Sequence, residues 1–114
     1  MKPRILIDLE RTRYPYSGLG YYGHALARGL QEASDPALDL HYYAPSSYPV
    51  PQRERFSPLH ALISTQARGY DLVHITHQRQ HYFPQLWGAK CVVTLHDLNF
   101  LTEPLPEAKR EKLL

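Results

Sequence analysis

Arg4-Ile-Leu-Ile-Asp-Leu9, close to the start of the 114-residue chain, decides the fold. It is a short, almost continuous apolar run rich in β-branched residues, which is how a strand covered on both faces reads. Outward from it, Glu10 to Gly20 mixes Arg, Tyr, Pro, Ser and Gly and reads as a loop. From Tyr21 a helical period takes over, with Tyr22, Ala25, Leu26, Gly29 and Leu30 at i, i+3, i+4, i+7 and i+8 on one face. Gly29 costs about 1 kcal/mol against Ala inside a helix, so its expected use is a close approach to the sheet. Asp35-Pro36 ends the helix.

Leu38 to Ala44 is a second strand, stopped by Pro45, and Ser46 to Arg55 reads as a proline- and serine-rich loop. Ser57-Pro58 has the form of a helix start, with Ser as N-cap and Pro at the first helical position. Leu59, Leu62, Ile63 and Ala67 supply the expected buried stripe of that helix, and Gly69 its stop. Asp71 to Thr76 and Cys91 to Leu95 read as two further buried strands, and Pro106 to Leu114 as a new helix with Glu107 in its first turn. This order predicts an α/β fold, a Rossmann-like parallel sheet with flanking helices. Right-handed crossovers would set the first and third strands side by side, with loops leaving their carboxyl ends over one crevice. The last helix reaches Leu113-Leu114 without a capping residue or a following strand, which cuts an apolar face. Residues 1–114 are therefore expected to be a truncated N-terminal domain.

A hydrophobic fraction of 43% with 21% charged residues belongs to a globular chain and argues against disorder. Ten prolines and nine tyrosines cluster in loop-like stretches, so shaped loops on a regular frame are expected. A net charge of +2, with Arg11, Arg13, Arg53, Arg55, Lys109 and Arg110 scattered among acids, is too mild for a nucleic-acid partner. One cysteine excludes an internal disulfide; Cys91 sits in an apolar run and is expected to be a buried, inert thiol, as in a reducing cytoplasm. No secretory leader pattern opens the chain, and no apolar stretch approaches the roughly 20 residues that span a bilayer. The expected location is cytoplasmic, without a transmembrane segment and with peripheral membrane contact left open.

Gly18-Leu-Gly-Tyr-Tyr-Gly23 matches the dinucleotide pattern G-x-G-x-x-G letter for letter. Context decides such a match. In a dinucleotide fold the first glycine follows the first strand after a very tight turn, whereas Glu10 to Ser17 intervene here. The second strand should end in an acid for a ribose hydroxyl, yet Tyr43-Ala44-Pro45 stands there. Both tests fail. Glycines without Cβ still let backbone N–H groups approach a ligand, and the helix that follows points its positive end at the same place. The bland alternative is that Gly18 and Gly20 only shape a loop.

Ser17-Gly-Leu-Gly-Tyr-Tyr22, followed by a helix carrying Leu26 and Leu30, resembles the glycine-rich first loop of family 4 glycosyltransferases of the GT-B fold. Asp71-Leu-Val-His74 is similar to their third-strand signature, and Val92-Val-Thr-Leu-His-Asp-Leu98 to the segment with their N-domain histidine. The likeness covers nearly the whole chain and is weakest between Ala44 and Arg68. It implies the acceptor-side half of a retaining enzyme that moves a sugar from a nucleoside diphosphate donor to a hydroxyl acceptor, carbohydrate or lipid-linked. Such an enzyme uses no cofactor beyond the nucleotide-sugar substrate. The resemblance implies that Gly18, Leu19 and Gly20 face the donor diphosphate and sugar, and that His96 contacts the reacting sugar as the catalytic histidine. Many relatives carry Arg where Tyr21 stands. The acidic motif and Lys/Arg pair of the donor-binding C-terminal domain have no counterpart here, so that domain is required in cis or in trans, and the chain alone is expected to be inactive.

His96-Asp97 would leave the end of a strand, where α/β proteins place ligand contacts; Asp97 suits loop orientation better than base catalysis. The opposing view is a loop histidine held by local backbone. His74, His77 and His81 lack a second cluster of Cys, Asp or Glu, so no metal is expected. His74 is expected within the sheet, while Tyr21, His77 and Gln78, with Gln80 and Tyr82, could line the acceptor side. His24, on the first helix, could face solvent or cleft. No nucleophile elbow surrounds Ser17, and no carboxylate pair suits a glycoside hydrolase. Two alternatives stand beside the transferase: a stand-alone carbohydrate- or nucleotide-binding module, or subunit of a split transferase, and a dinucleotide oxidoreductase fragment.

Overall fold

In the computed structural model, which describes residues 2–14, 16–33, 35–78 and 80–95, the first apolar run is the middle strand of a sheet. Five strands, all parallel, run β3-β2-β1-β4-β5, with β1 Arg4–Asp8, β2 Asp39–Ala44, β3 Arg53–Arg55, β4 Leu72–Ile75 and β5 Lys90–Val93. One α-helix, α1 (Gly18–Ala33), connects β1 to β2. The Rossmann-like reading holds, and so does the neighbouring of the first and third expected strands: Ile5, Leu6 and Ile7 of β1 face Leu72, Val73 and His74 of β4.

The pleat sorts β1 and β2 into two cores. Ile7, Leu9, Tyr42 and Ala44 pack with Ala27 of α1, backed by the half-buried Leu26 and Leu30. Leu6, Tyr43, Val73 and Ile75 pack on the other side with Ala67, Tyr70 and Phe83. No α-helix covers that second side among the described residues. It is closed by 3-10 turns at Pro58–Ala61 and Thr65–Ala67 and by the irregular chain leading to β5.

Several expectations change. The helix begins at Gly18 rather than Tyr21, and a 3-10 turn, Glu10–Arg13, occupies part of the expected loop. The buried helix residues are Gly20, Gly23 and Ala27; Gly29 is exposed and has nothing near its missing Cβ. The close approach falls at the other glycines: a Cβ on Gly20 would strike the Tyr14 carbonyl, and one on Gly23 would lie 2.9 Å from Thr12 Cγ2. Asp35 ends the helix as expected, its side chain accepting from the Ala37 N–H at 2.8 Å.

The second helix is absent. Ser57 does cap, accepting from the Leu59 N–H at 3.3 Å, and Pro58 opens the turn. Leu59, Leu62 and Ile63, however, are 71%, 74% and 58% exposed, and only Ala67 of the expected stripe is buried. Gly69 does adopt the left-handed conformation of a stop, with φ +82°. Arg53–Arg55, expected as loop, forms β3 beside β2. An exposed Arg-Glu-Arg edge carries no apolar signature, but Tyr70 Oη donates to Glu54 at 2.8 Å and anchors it. The opposite edge, β5, is exposed along its length, and Cys91 with it, contrary to the buried reading. The expected helix over Pro106 to Leu114 lies outside the described residues.

Candidate functional site

The chain leaves β1 for β2 on one side, and β4 lies on the other, so strand order reverses between β1 and β4. In open α/β sheets the crevice beyond the carboxyl ends of such neighbours is where ligands bind. Thr76 Oγ1 donates to the Asp8 carbonyl at 2.8 Å and ties the two strand ends together. On the β2 side the Leu9 N–H donates to the Tyr43 carbonyl at 2.7 Å, so the register is carried past the last ladder residue.

Buried polar groups concentrate at this edge. Asp8 and Glu10 are each 1% exposed, Thr76 3% and His77 2%. Asp8 Oδ1 accepts from the Glu10 N–H at 3.0 Å, which turns the chain out of β1 into the 3-10 turn. Burial pushes the Asp8 carboxyl up to about 7, helped by the neighbouring Glu10 charge and opposed by that N–H and by Arg11. Glu10 in turn receives Arg13 Nε at 2.6 Å and lies 3.7 Å from Arg11 Nε. Arg13 also donates to Tyr82 Oη at 3.1 Å, and its guanidinium sits 4.7 Å over Tyr14 and 4.6 Å over Phe56. Its ion pair with Glu10 raises its pKa further against the opposing effect of burial. A carboxylate buried this deeply needs compensation of this kind, and the arginines supply it.

The glycine segment stands directly behind this cluster. Ser17 Oγ accepts from the Gly20 N–H at 2.9 Å and donates to the Tyr14 carbonyl at 2.8 Å. One donor of the first helical turn is thereby engaged within the chain. Gly18 is exposed with open space around it, Leu19 is half-buried and Tyr21 is 75% exposed. On the β4 side, His74 Nε2 meets Thr94 Oγ1 at 2.9 Å, and Tyr22 Oη approaches the same hydroxyl at 3.4 Å, which links α1 to the strand that follows. Burial pushes the His74 imidazole pKa down, as befits a sheet histidine.

Of the acceptor-side residues, His77 is buried, Gln78 half-buried and Tyr82 half-buried on Arg13. The Gln80 side chain accepts from the Phe83 N–H at 2.9 Å. His96 and Asp97 lie outside the described residues. The sequence reading singled out Gly18, Leu19 and Gly20, which open α1 after β1, and passed over Asp8, Glu10, Thr12 and Arg13 at the carboxyl edge. A carboxylate inside Ile5-Leu-Ile-Asp-Leu9 and the Glu10/Arg13 spacing of i, i+3 were the available signals. Among the described residues no group of three or more His, Cys, Asp or Glu is placed to hold a metal ion. No helix among them is long and apolar enough to cross a membrane. No protein-family model, curated protein or solved structure matches the chain.

Proposed function

We propose that this chain is the acceptor-side Rossmann-like domain of a retaining, family 4-like glycosyltransferase that moves a sugar from a nucleoside diphosphate donor to a hydroxyl acceptor. The observation that carries the reading is the position of Gly18–Gly20. They open α1 behind the carboxyl end of the middle strand, where strand order reverses. A helix N-terminus there favours an anionic donor group, and the exposed, unobstructed Gly18 leaves room for a phosphate or sugar hydroxyl to approach backbone. In this reading His96 contacts the reacting sugar and steadies charge developing there, Asp97 orients its loop, and Tyr21, His77 and Gln78 belong to the acceptor side. Tight donor binding and sugar transfer need the acidic motif and cationic pair of a second domain, supplied in cis or in trans, while the glycine segment contributes a weaker contact of its own, and the site of action is the cytoplasm.

The test is an amide-resolved NMR titration of the chain with UDP-glucose, GDP-mannose, a maltooligosaccharide and NAD. Weak, saturable shifts at Gly18–Gly20 with a nucleotide sugar, shifts at Tyr21, His77 or Gln78 with the oligosaccharide, and no sugar transfer by the chain alone are the expected result. Submicromolar NAD binding at the same glycines would overturn it in favour of a dinucleotide site. Transfer by the isolated chain would sink the requirement for a donor domain.

A further inference from the structure

A concavity lies between the side of α1 and the loop that follows β2, with Thr12 and Arg13 of the polar cluster at one end. It has a volume of about 710 Å³. That is within the roughly 300–1,000 Å³ of small-molecule sites. His24, Arg28, Gln31 and Glu32, spaced i, i+4, i+7 and i+8, form its helical wall, and the Pro45–Val50 stretch forms the facing wall. The loop is held in place rather than loosely draped. The Tyr48 N–H donates to the Pro45 carbonyl at 3.0 Å, Arg53 donates to the Tyr48 carbonyl at 2.8 Å, and Tyr48 Oη meets His24 Nδ1 at 2.9 Å.

The two cations of this cleft differ in availability. Arg13 is already engaged by Glu10, Tyr82 and two aromatic rings. Arg28 is exposed and has no ion-pair partner among the described residues, and Glu32, one helical turn away, does not reach it. The same walls carry the polar groups of Ser47, Gln31 and Glu32 and the apolar surfaces of Tyr48, Pro49 and Val50. A guanidinium for one anionic group, several separate donors and acceptors, and an apolar platform for C–H faces suit one chemistry. We propose that this cleft binds a small sugar bearing a single anionic group, a phosphate or a carboxylate, with Arg28 as the anion contact and Tyr48 as the platform. The cleft shares Thr12 and Arg13 with the polar cluster but contains none of Gly18, Gly20 or His77, on which the transferase reading rests, so the proposal does not depend on that reading.

The experiment is calorimetric titration of the chain with glucose 6-phosphate and glucuronate, against glucose and inorganic phosphate, with amide shifts to locate binding. At least one charged sugar is expected to bind about tenfold or more tightly than either glucose or phosphate, with shifts at His24–Glu32 and Ser47–Val50. Arg28→Gln, an exposed change that leaves the fold intact, should lose about tenfold or more for that ligand, while Arg68→Gln, outside the cleft, should leave it unchanged. Which of the two sugars binds separates phosphate from carboxylate recognition. Equal weak binding of all four probes, shifts elsewhere, or an undiminished affinity in folded Arg28→Gln would overturn the proposal.

Discussion

The two sides of this sheet are closed by different means, although neighbouring residues of one strand begin them: Tyr42 packs toward α1 and Tyr43 toward the irregular chain. On the α1 side, sixteen consecutive residues satisfy most of their own backbone groups, and the helix needs only small residues at Gly20, Gly23 and Ala27 to come close. On the other side no such ladder exists, so side chains close the backbone account. Gln85 Oε1 accepts from the Ser64 N–H at 2.9 Å and Ser64 Oγ accepts from the Gln85 N–H at 2.9 Å. Trp87 Nε1 donates to the Ser64 carbonyl at 2.9 Å, and Gln66 Nε2 to the Tyr82 carbonyl at 2.7 Å. Aromatic rings fill the space between: Tyr43 lies 5.0 Å from Phe83 and 5.9 Å from Phe56, edge to face. Irregular chain can cover a sheet as fully as a helix when polar side chains replace the missing hydrogen-bond ladder.

Tyr43→Ala should break that side most. It removes a fully buried ring and orphans its 2.9 Å bond to His60 Nδ1, so a loss of about 3–5 kcal/mol is expected in urea unfolding. A loss under about 1 kcal/mol would mean that the irregular side contributes little to the common core.

Asp8 stands where the two sides meet at the carboxyl edge, and its carboxyl is raised from 3.8 to about 7. With the native value above the unfolded one, the folded state holds the extra proton between these pH values. The stability contribution of this group is complete below about pH 4 and is lost as pH rises through 7. Asp8→Asn keeps an acceptor for the Glu10 N–H without the charge. Its unfolding free energy relative to wild type should therefore climb from pH 4 to pH 8, by an amount on the order of 4 kcal/mol, read from urea unfolding at each pH. A flat difference across that range would show that the carboxyl ionises at its ordinary pH.

The smallest effect is expected at Leu62, 74% exposed on the irregular side, where Leu62→Ala should change stability by less than about 0.5 kcal/mol. The same change in a helix with a buried Leu62 would cost about 2–5 kcal/mol, so this substitution separates the two structures of the 57–69 segment.

The sequence by itself determined the parallel sheet, the adjacency of β1 and β4, and the helix of the first crossover. Continuous apolar runs and a 3.6-residue period survive any particular packing, because burial on two faces or on one stripe demands them. Gly18 and Gly20 were expected in the loop before that helix, whereas they form its first turn. Tertiary structure alone decided the rest. Leu59, Leu62 and Ile63 have helical spacing, yet the aromatic rings of Tyr43, Phe56, Tyr82 and Phe83 already occupy the face they would have covered. Arg53–Arg55 pairs with β2 as a strand, and its Glu54 accepts from Tyr70, a partner sixteen residues away that no local pattern reveals. The polar cluster at the carboxyl edge depends on the same kind of distant meeting, with Arg13 against Tyr82 and Asp8 under Thr76. Local periodicity reports which face is apolar; which distant residue satisfies a buried charge is decided only once the strands have been laid side by side.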